Sequence, residues 1–214
     1  MIHRTKLIIV VAGSAFIFRT ISGVGFDGKE SDSALVDLFS MRTMSANFSQ
    51  VVFDAEDKRE ISSSAGTVLF RKPDLVKWSY DKPINQVFIK NKTSFSVYDR
   101  DLMQLSKINR YVDQDTPIDF LIKDYQTFKT FYDVDKLNNS GNLSFVKLSP
   151  LVEKSDYEKI IIVFKNSVIN KIEIFYRIGR IIEIKFDMVQ INLELNEGDF
   201  ELDAPPNVEV EEIN

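Results

Sequence analysis

From Ser45 onward the chain alternates apolar and polar side chains with period two, broken at short intervals by turn signals. Phe48, Gln50 and Val52 interleave with Ser49, Val51 and Phe53. Val76, Trp78 and Tyr80 share one face, with Lys77 and Ser79 on the other. Phe95 and Val97 alternate with Ser94 and Ser96, and Ile182, Ile184, Phe186 and Met188 with Glu183, Lys185 and Asp187. Successive side chains of a strand point to opposite faces, so this pattern calls for antiparallel strands with one buried face. Pro73 ends regular pairing after Phe70, and Asn166-Ser167 joins two strands in a hairpin. The apolar phase slips after Met188: Ile191, Leu193 and Leu195 are odd-numbered, which predicts a bulge or a strand end near Val189.

The middle of the chain changes period. Asp115-Thr116-Pro117 reads as a helix cap with Pro in the first turn. Ile118, Leu121 and Ile122, then Phe128, Phe131 and Tyr132, fall at helical spacing, so two short helices are expected between residues 117 and 135. Before the strands, Ser33 is placed to cap a short helix through Met41, with Leu35, Leu38 and Phe39 on its apolar face. About ten antiparallel strands with mid-chain helices predict a mainly β fold, a strongly curved sheet or barrel with something laid over it.

The first residues belong to another pattern. His3, Arg4 and Lys6 precede an apolar run, Leu7 to Phe18, and Gly23-Val24-Gly25 supplies small residues for cleavage. Residues 1–25 therefore read as a secretory signal peptide and residues 26–214 as a single domain. The run is short of the roughly 20 apolar residues that span a bilayer. A membrane anchor or a buried helix is the other reading. Without residues 1–25, Lys+Arg falls from 27 to 24 against 32 Asp+Glu, a net charge of −8. So acidic a chain suits neither nucleic acid nor an anionic bilayer surface.

The chain has no Cys, and its single His is His3. The mature domain thus lacks the residues for a Ser-His-Asp triad, a Cys nucleophile and nearly every zinc or copper site. It also lacks the Cys on which a bacterial lipoprotein is acylated. Asp and Glu are scattered over turns and outward strand positions. The expectation is a non-enzyme without cofactor or metal. Gly23-Val24-Gly25-Phe26-Asp27-Gly28 matches G-x-G-x-x-G, but it follows a signal-like run and precedes an antiparallel pattern, the wrong setting for a dinucleotide site.

Five segments in order carry a family resemblance: SANFSQ (Ser45–Gln50), GTVLFRKPDLVKWSY (Gly66–Tyr80), NKTSFSVYDRDLMQ (Asn91–Gln104), DTPIDFLI (Asp115–Ile122) and the Phe200…Pro205-Pro206…Val210 ending. Together they resemble the outer-membrane lipoprotein carrier protein family. The resemblance implies an incomplete antiparallel β-barrel with a helical lid over an apolar cavity. It implies a monomeric periplasmic carrier of acylated lipoproteins. Its partners would be an ATP-driven inner-membrane release complex and an outer-membrane receptor. One position departs from the pattern. Where the family has Arg before the segment's Pro as a lid latch, this chain has Lys72, with Arg71 one place earlier. Neighbouring strand residues face opposite ways, so the two are distinct latch candidates. Lys72 is expected to reach backbone carbonyls of the Pro117–Ile122 helix. Two solvated basic residues at a strand end is the other reading.

Candidate acyl-chain contacts are Val76, Trp78, Tyr80, Phe95, Val97, Ile118, Phe120 and Leu121; an ordinary dry core is the alternative for each. The competing function is a periplasmic lipid- or protein-sensing domain of similar fold. That class carries a second domain, for which residues 26–214 leave no room.

Overall fold

The structure, a computed structural model, describes residues 36, 38–81, 83–109, 119–152, 155–202 and 205–213. The expected signal peptide, the Ser33 cap, the G-x-G-x-x-G match and Asp115 to Ile118 lie outside the described residues.

Among the described residues, twelve strands form one sheet. They are β1 (Thr43–Asp54), β2 (Glu60–Arg71), β3 (Leu75–Tyr80), β4 (Gln86–Lys90), β5 (Ser94–Asp99) and β6 (Gln104–Asn109), then β7 (Tyr132–Ser140), β8 (Leu143–Pro150), β9 (Tyr157–Lys165), β10 (Val168–Tyr176), β11 (Arg180–Ile191) and β12 (Glu209–Ile213). Their order is β12-β6-β5-β4-β3-β2-β1-β11-β10-β9-β8-β7. The ends β12 and β7 do not pair with each other, so the barrel is incomplete. Neighbours are antiparallel except β12, which runs parallel to β6.

The period-two pattern sets the faces. On β1, Met44, Ala46, Phe48, Gln50 and Val52 are buried, and on β2 so are Ser62, Ser64, Gly66, Val68 and Phe70. Their register partners continue this face across the sheet: Phe48 pairs with Phe186, and Ile184 with Ile172. The hairpin between β9 and β10 turns at Asn166 and Ser167, both at positive φ (50° and 64°), as a two-residue turn of the primed type requires. The expected phase slip is a bulge. Register shifts between Ser45 and Asn47 opposite Gln190 and Asp187, and Met188 takes φ 51°. Gly66 is required by close approach: a Cβ there would clash with the backbone carbonyl oxygen of Ser79.

One sequence expectation is corrected. The helical segment between residues 117 and 135 is a 3-10 turn at Asp119–Leu121 and a helix at Tyr125–Phe131, but Tyr132 already begins β7. Tyr132, read as helical from its spacing to Phe128, is instead the residue where the chain turns extended. The C-terminal run begins with a 3-10 turn at Glu197–Phe200 and ends in β12. This run crosses the outer face. Leu202 and Val208 pack on buried Val87, Tyr98 and Leu105. The outer face of β4 to β6 therefore carries buried apolar residues, which a pattern with one buried face does not reveal.

Candidate functional site

The buried face of β1 to β4 is an aromatic floor. The Phe48 ring lies 4.6 Å from that of Trp78 and 5.1 Å from that of Tyr80. Trp78 reaches Phe186 at 6.4 Å, Tyr80 reaches Phe88 at 5.7 Å, and Phe88 reaches Phe95 at 6.2 Å. Edge and tilted contacts of this kind add to the apolar burial that holds the rings. Isoleucines of β9 to β11, among them Ile162, Ile172 and Ile184, extend the same face.

Short helices cover this floor. Phe120, Leu121, Ile122 and Phe128 are buried in one cluster with Trp78 and Phe48. Residues 36 and 38–40 are helical, Leu38 is fully buried in that cluster, and Phe39 packs edge-on against Phe128 at 4.9 Å and Tyr125 at 5.1 Å. Asp124 caps the Tyr125–Phe131 helix, accepting from the backbone N–H of Gln126 (2.9 Å) and Thr127 (3.0 Å). Those bonds, led by Thr127, hold its carboxyl below the usual range.

Lys72 ties the cover to the sheet. It follows β2, and its peptide to Pro73 is cis. Its Nζ donates to the Leu38 carbonyl oxygen at 2.8 Å and lies 5.2 Å from the Phe39 ring centroid. Among the described residues its backbone partner is the helical turn before β1; Pro117 and Ile118, the start of the stretch expected to receive it, lie outside them. A helix leaves its last carbonyls without intrahelical donors, and Leu38 is one such group at the turn that ends at Ser40. Burial pushes the Lys72 ammonium down to about 8, against the opposing pull of Asp124.

Arg71 faces the other way. It donates to the Leu195 carbonyl oxygen at 3.0 Å, pairs with Glu197 at 3.3 Å and stacks over the Phe200 ring. With Lys77, which donates to the carbonyls of Asp199 (3.0 Å) and Glu201 (2.7 Å), it clasps the C-terminal run to the outer face.

Of the residues singled out in sequence, Trp78, Tyr80, Phe120 and Leu121 are buried together in this cluster, with Val76 packed against it half-buried. Phe95 is half-buried beside Phe88, and Val97 is half-buried as the register partner of Phe88 on the same face. Ile118 lies outside the described residues. Sequence reasoning missed Phe48, Phe88 and Phe186 on the floor and Leu38 and Phe39 in the cover. The alternation around Phe48 and the i, i+3, i+4 spacing around Leu38 carried that signal. Among the described residues, no cluster of His, Cys, Asp and Glu is placed to hold a metal, and no helix is long and apolar enough to cross a membrane.

An open β-barrel whose apolar inner face is roofed by short helices defines a class of proteins built around a shielded interior. Residues 40–203 match the family model for the outer membrane lipoprotein carrier protein LolA. The chain belongs to that family. It is 25% identical over 209 residues to an outer-membrane lipoprotein carrier protein of Legionella pneumophila strain Lens, covering 97% of this chain and 98% of that one. It is 24% identical over 207 residues to the protein of the same name from Pseudomonas syringae pv. tomato, covering 96% and 98%. The fold also resembles the crystal structure of an uncharacterized conserved protein from Thermus thermophilus, with TM-score 0.55, 10% identity, and coverage of 86% of this chain and 100% of that one. The protein is thus a family carrier protein for outer-membrane lipoproteins. The relatives are named for a carrier role, not for a catalysed reaction.

Proposed function

We propose that the protein works in the periplasm as a monomeric carrier. It takes acylated lipoproteins from an ATP-driven inner-membrane release complex, shields their acyl chains, and passes them to an outer-membrane receptor. The segment 1–25 would direct export and be removed, leaving residues 26–214 as the carrier domain.

The observation that carries this reading is the charged tie between cover and floor, Lys72 to Leu38 at 2.8 Å, over an inner face of aromatic and branched side chains. Burying each CH2 of an acyl chain is worth about 0.8 kcal/mol, so one exposed chain costs on the order of ten kcal/mol in water. Transit between membranes then demands an apolar shelter. Release without ATP at the far side demands that the shelter hold its cargo less tightly than the receptor does. A carrier that must open its own cover to bind gives up part of its binding energy, which keeps its affinity moderate. Val76, Trp78, Tyr80, Phe95, Val97, Ile118, Phe120 and Leu121 are the acyl contacts in this reading, and Lys72 is the latch.

An environment-sensitive apolar dye should bind the purified protein and be displaced by a triacylated lipopeptide. The same peptide without acyl chains should not displace it. Equal displacement by both would remove acyl-chain binding from the reading.

A further inference from the structure

The apolar floor carries a polar cluster that packing does not use. On β1 and β2, Gln50 and Ser64 are register partners on the buried face, and Ser62 lies next to them opposite Val52. Gln50 is 2% exposed, Ser62 0%, Ser64 7% and Trp78 3%. The Gln50 Oε1 accepts from the Tyr80 hydroxyl at 3.0 Å. Gln50 Nε2, Ser62 Oγ, Ser64 Oγ and Trp78 Nε1 have no hydrogen-bond partner among the described residues. The Trp78 indole also lies beside the Tyr80 hydroxyl, though without the geometry of a bond. Each buried polar group left this way costs free energy that an apolar residue of similar size would avoid. Four such groups, grouped on three adjacent strands of the binding face, are a site built for something other than packing.

The chemistry of the cluster selects its ligand. The Gln50 amide nitrogen and the Trp78 indole are donors only, and each serine hydroxyl can donate as well. One lone pair of the Gln50 oxygen is engaged by Tyr80. Two fixed N–H donors flanked by hydroxyls that can also donate, in an apolar surround, suit an oxygen that accepts and has no proton of its own. We infer that Gln50, Ser62, Ser64 and Trp78 form a subsite for the carbonyl oxygens of ester- or amide-linked acyl chains. This rests on the carrier reading and deepens it. The aromatic and aliphatic surface would recognise the hydrocarbon, while the cluster recognises that the hydrocarbon is acyl-linked.

The test uses two lysophospholipids with the same head group and the same sixteen-carbon chain, one a palmitoyl ester and one a hexadecyl ether. Each is titrated, below its micelle concentration, against dye bound to the wild-type protein and to Gln50→Leu and Ser62→Ala. The wild type should favour the ester by about tenfold, the scale of a buried donor that finds or lacks its acceptor. In the variants the ester should weaken toward the ether, and the ether should bind as before. The wild-type comparison needs no variant, so a variant that fails to fold does not blunt it. Equal wild-type affinity for ester and ether overturns the subsite and leaves the carrier reading standing. A folded Gln50→Leu that keeps the full preference overturns it too. If neither lipid displaces the dye, the carrier reading falls and the subsite with it.

Discussion

Lys72 Nζ lies 2.8 Å from the carbonyl oxygen of Leu38, while Arg71, its neighbour in sequence at the end of β2, holds Leu195 and Glu197 on the opposite face of the sheet. One basic residue closes the inner face and the other fastens the outer one.

The two should therefore separate in a transfer assay. Lys72→Leu removes a charge-assisted hydrogen bond worth roughly 1.5–3 kcal/mol. It should still accept lipoprotein but release it poorly to the receptor, since less binding energy goes into opening the cover. Lys72→Arg should remain functional and hold the closed state better, because its planar fork offers more donors. Arg71→Leu should leave release unchanged and instead raise amide exchange in residues 195–201. Blocked release in Arg71→Leu with normal release in Lys72→Leu would reverse the assignment.

Alkaline stability should carry the signature of Lys72. Its ordinary value of 10.5 falls to about 8 in the fold. Between those values the unfolded chain binds more protons than the native one, so the free energy of unfolding rises with pH there. The contribution is complete above 10.5 and is lost as pH falls through 8. Tyr176 acts in the opposite sense: burial raises its phenol to about 12, so its contribution is full below 10 and lost as pH rises through 12. Urea unfolding between about pH 8 and 10 isolates the lysine term, and Lys72→Met should flatten the rise.

Trp78 is the single tryptophan of the chain and is 3% exposed, so its fluorescence reports the inner face alone. Acrylamide should quench it weakly in the wild type and more strongly in Lys72→Leu, whose cover opens. Binding of a triacylated lipopeptide should shift its emission. Quenching that is the same in both proteins would mean that the tie does not control access.

Phe39→Ala removes two edge contacts, to Phe128 and Tyr125, from the half-buried ring that joins the two helical covers. A loss of about 1–3 kcal/mol is expected, below the range for a fully buried phenylalanine. Acrylamide access to Trp78 should increase together with this loss.

Gly66→Ala should be among the most damaging single substitutions in the sheet. The added methyl would clash with the Ser79 carbonyl oxygen, a backbone atom that cannot move without parting β2 from β3. Overpacking costs about 1–3 kcal/mol in ordinary cores, and a backbone clash puts this site at the upper end or beyond. Thermal unfolding measures it.

Much of this architecture was legible in the linear chain because side-chain alternation is local. The faces of β1, β3 and β11, the Asn166-Ser167 turn and the bulge at Met188 each follow from a few consecutive residues. That Lys72 and Arg71 point apart follows from the same period. The partners of these residues were not legible. Leu38 stands far before Lys72 in the chain, and a backbone carbonyl has no residue type to betray it. The strand beginning at Tyr132 was hidden because its first residue also fits the helical spacing of Phe128, and only pairing with Pro150 decides between them. Val87, Tyr98 and Leu105 lie on the face that alternation assigns to solvent, and they are buried because the C-terminal run returns across it. Nothing in the spelling of Gln50, Ser62 and Ser64 sets them apart from other strand polars. Sequence by itself determined which side chains share a face, since that depends on local geometry. Tertiary structure decided what covers each face and which polar groups are sealed without partners, because those depend on contacts between segments far apart in the chain.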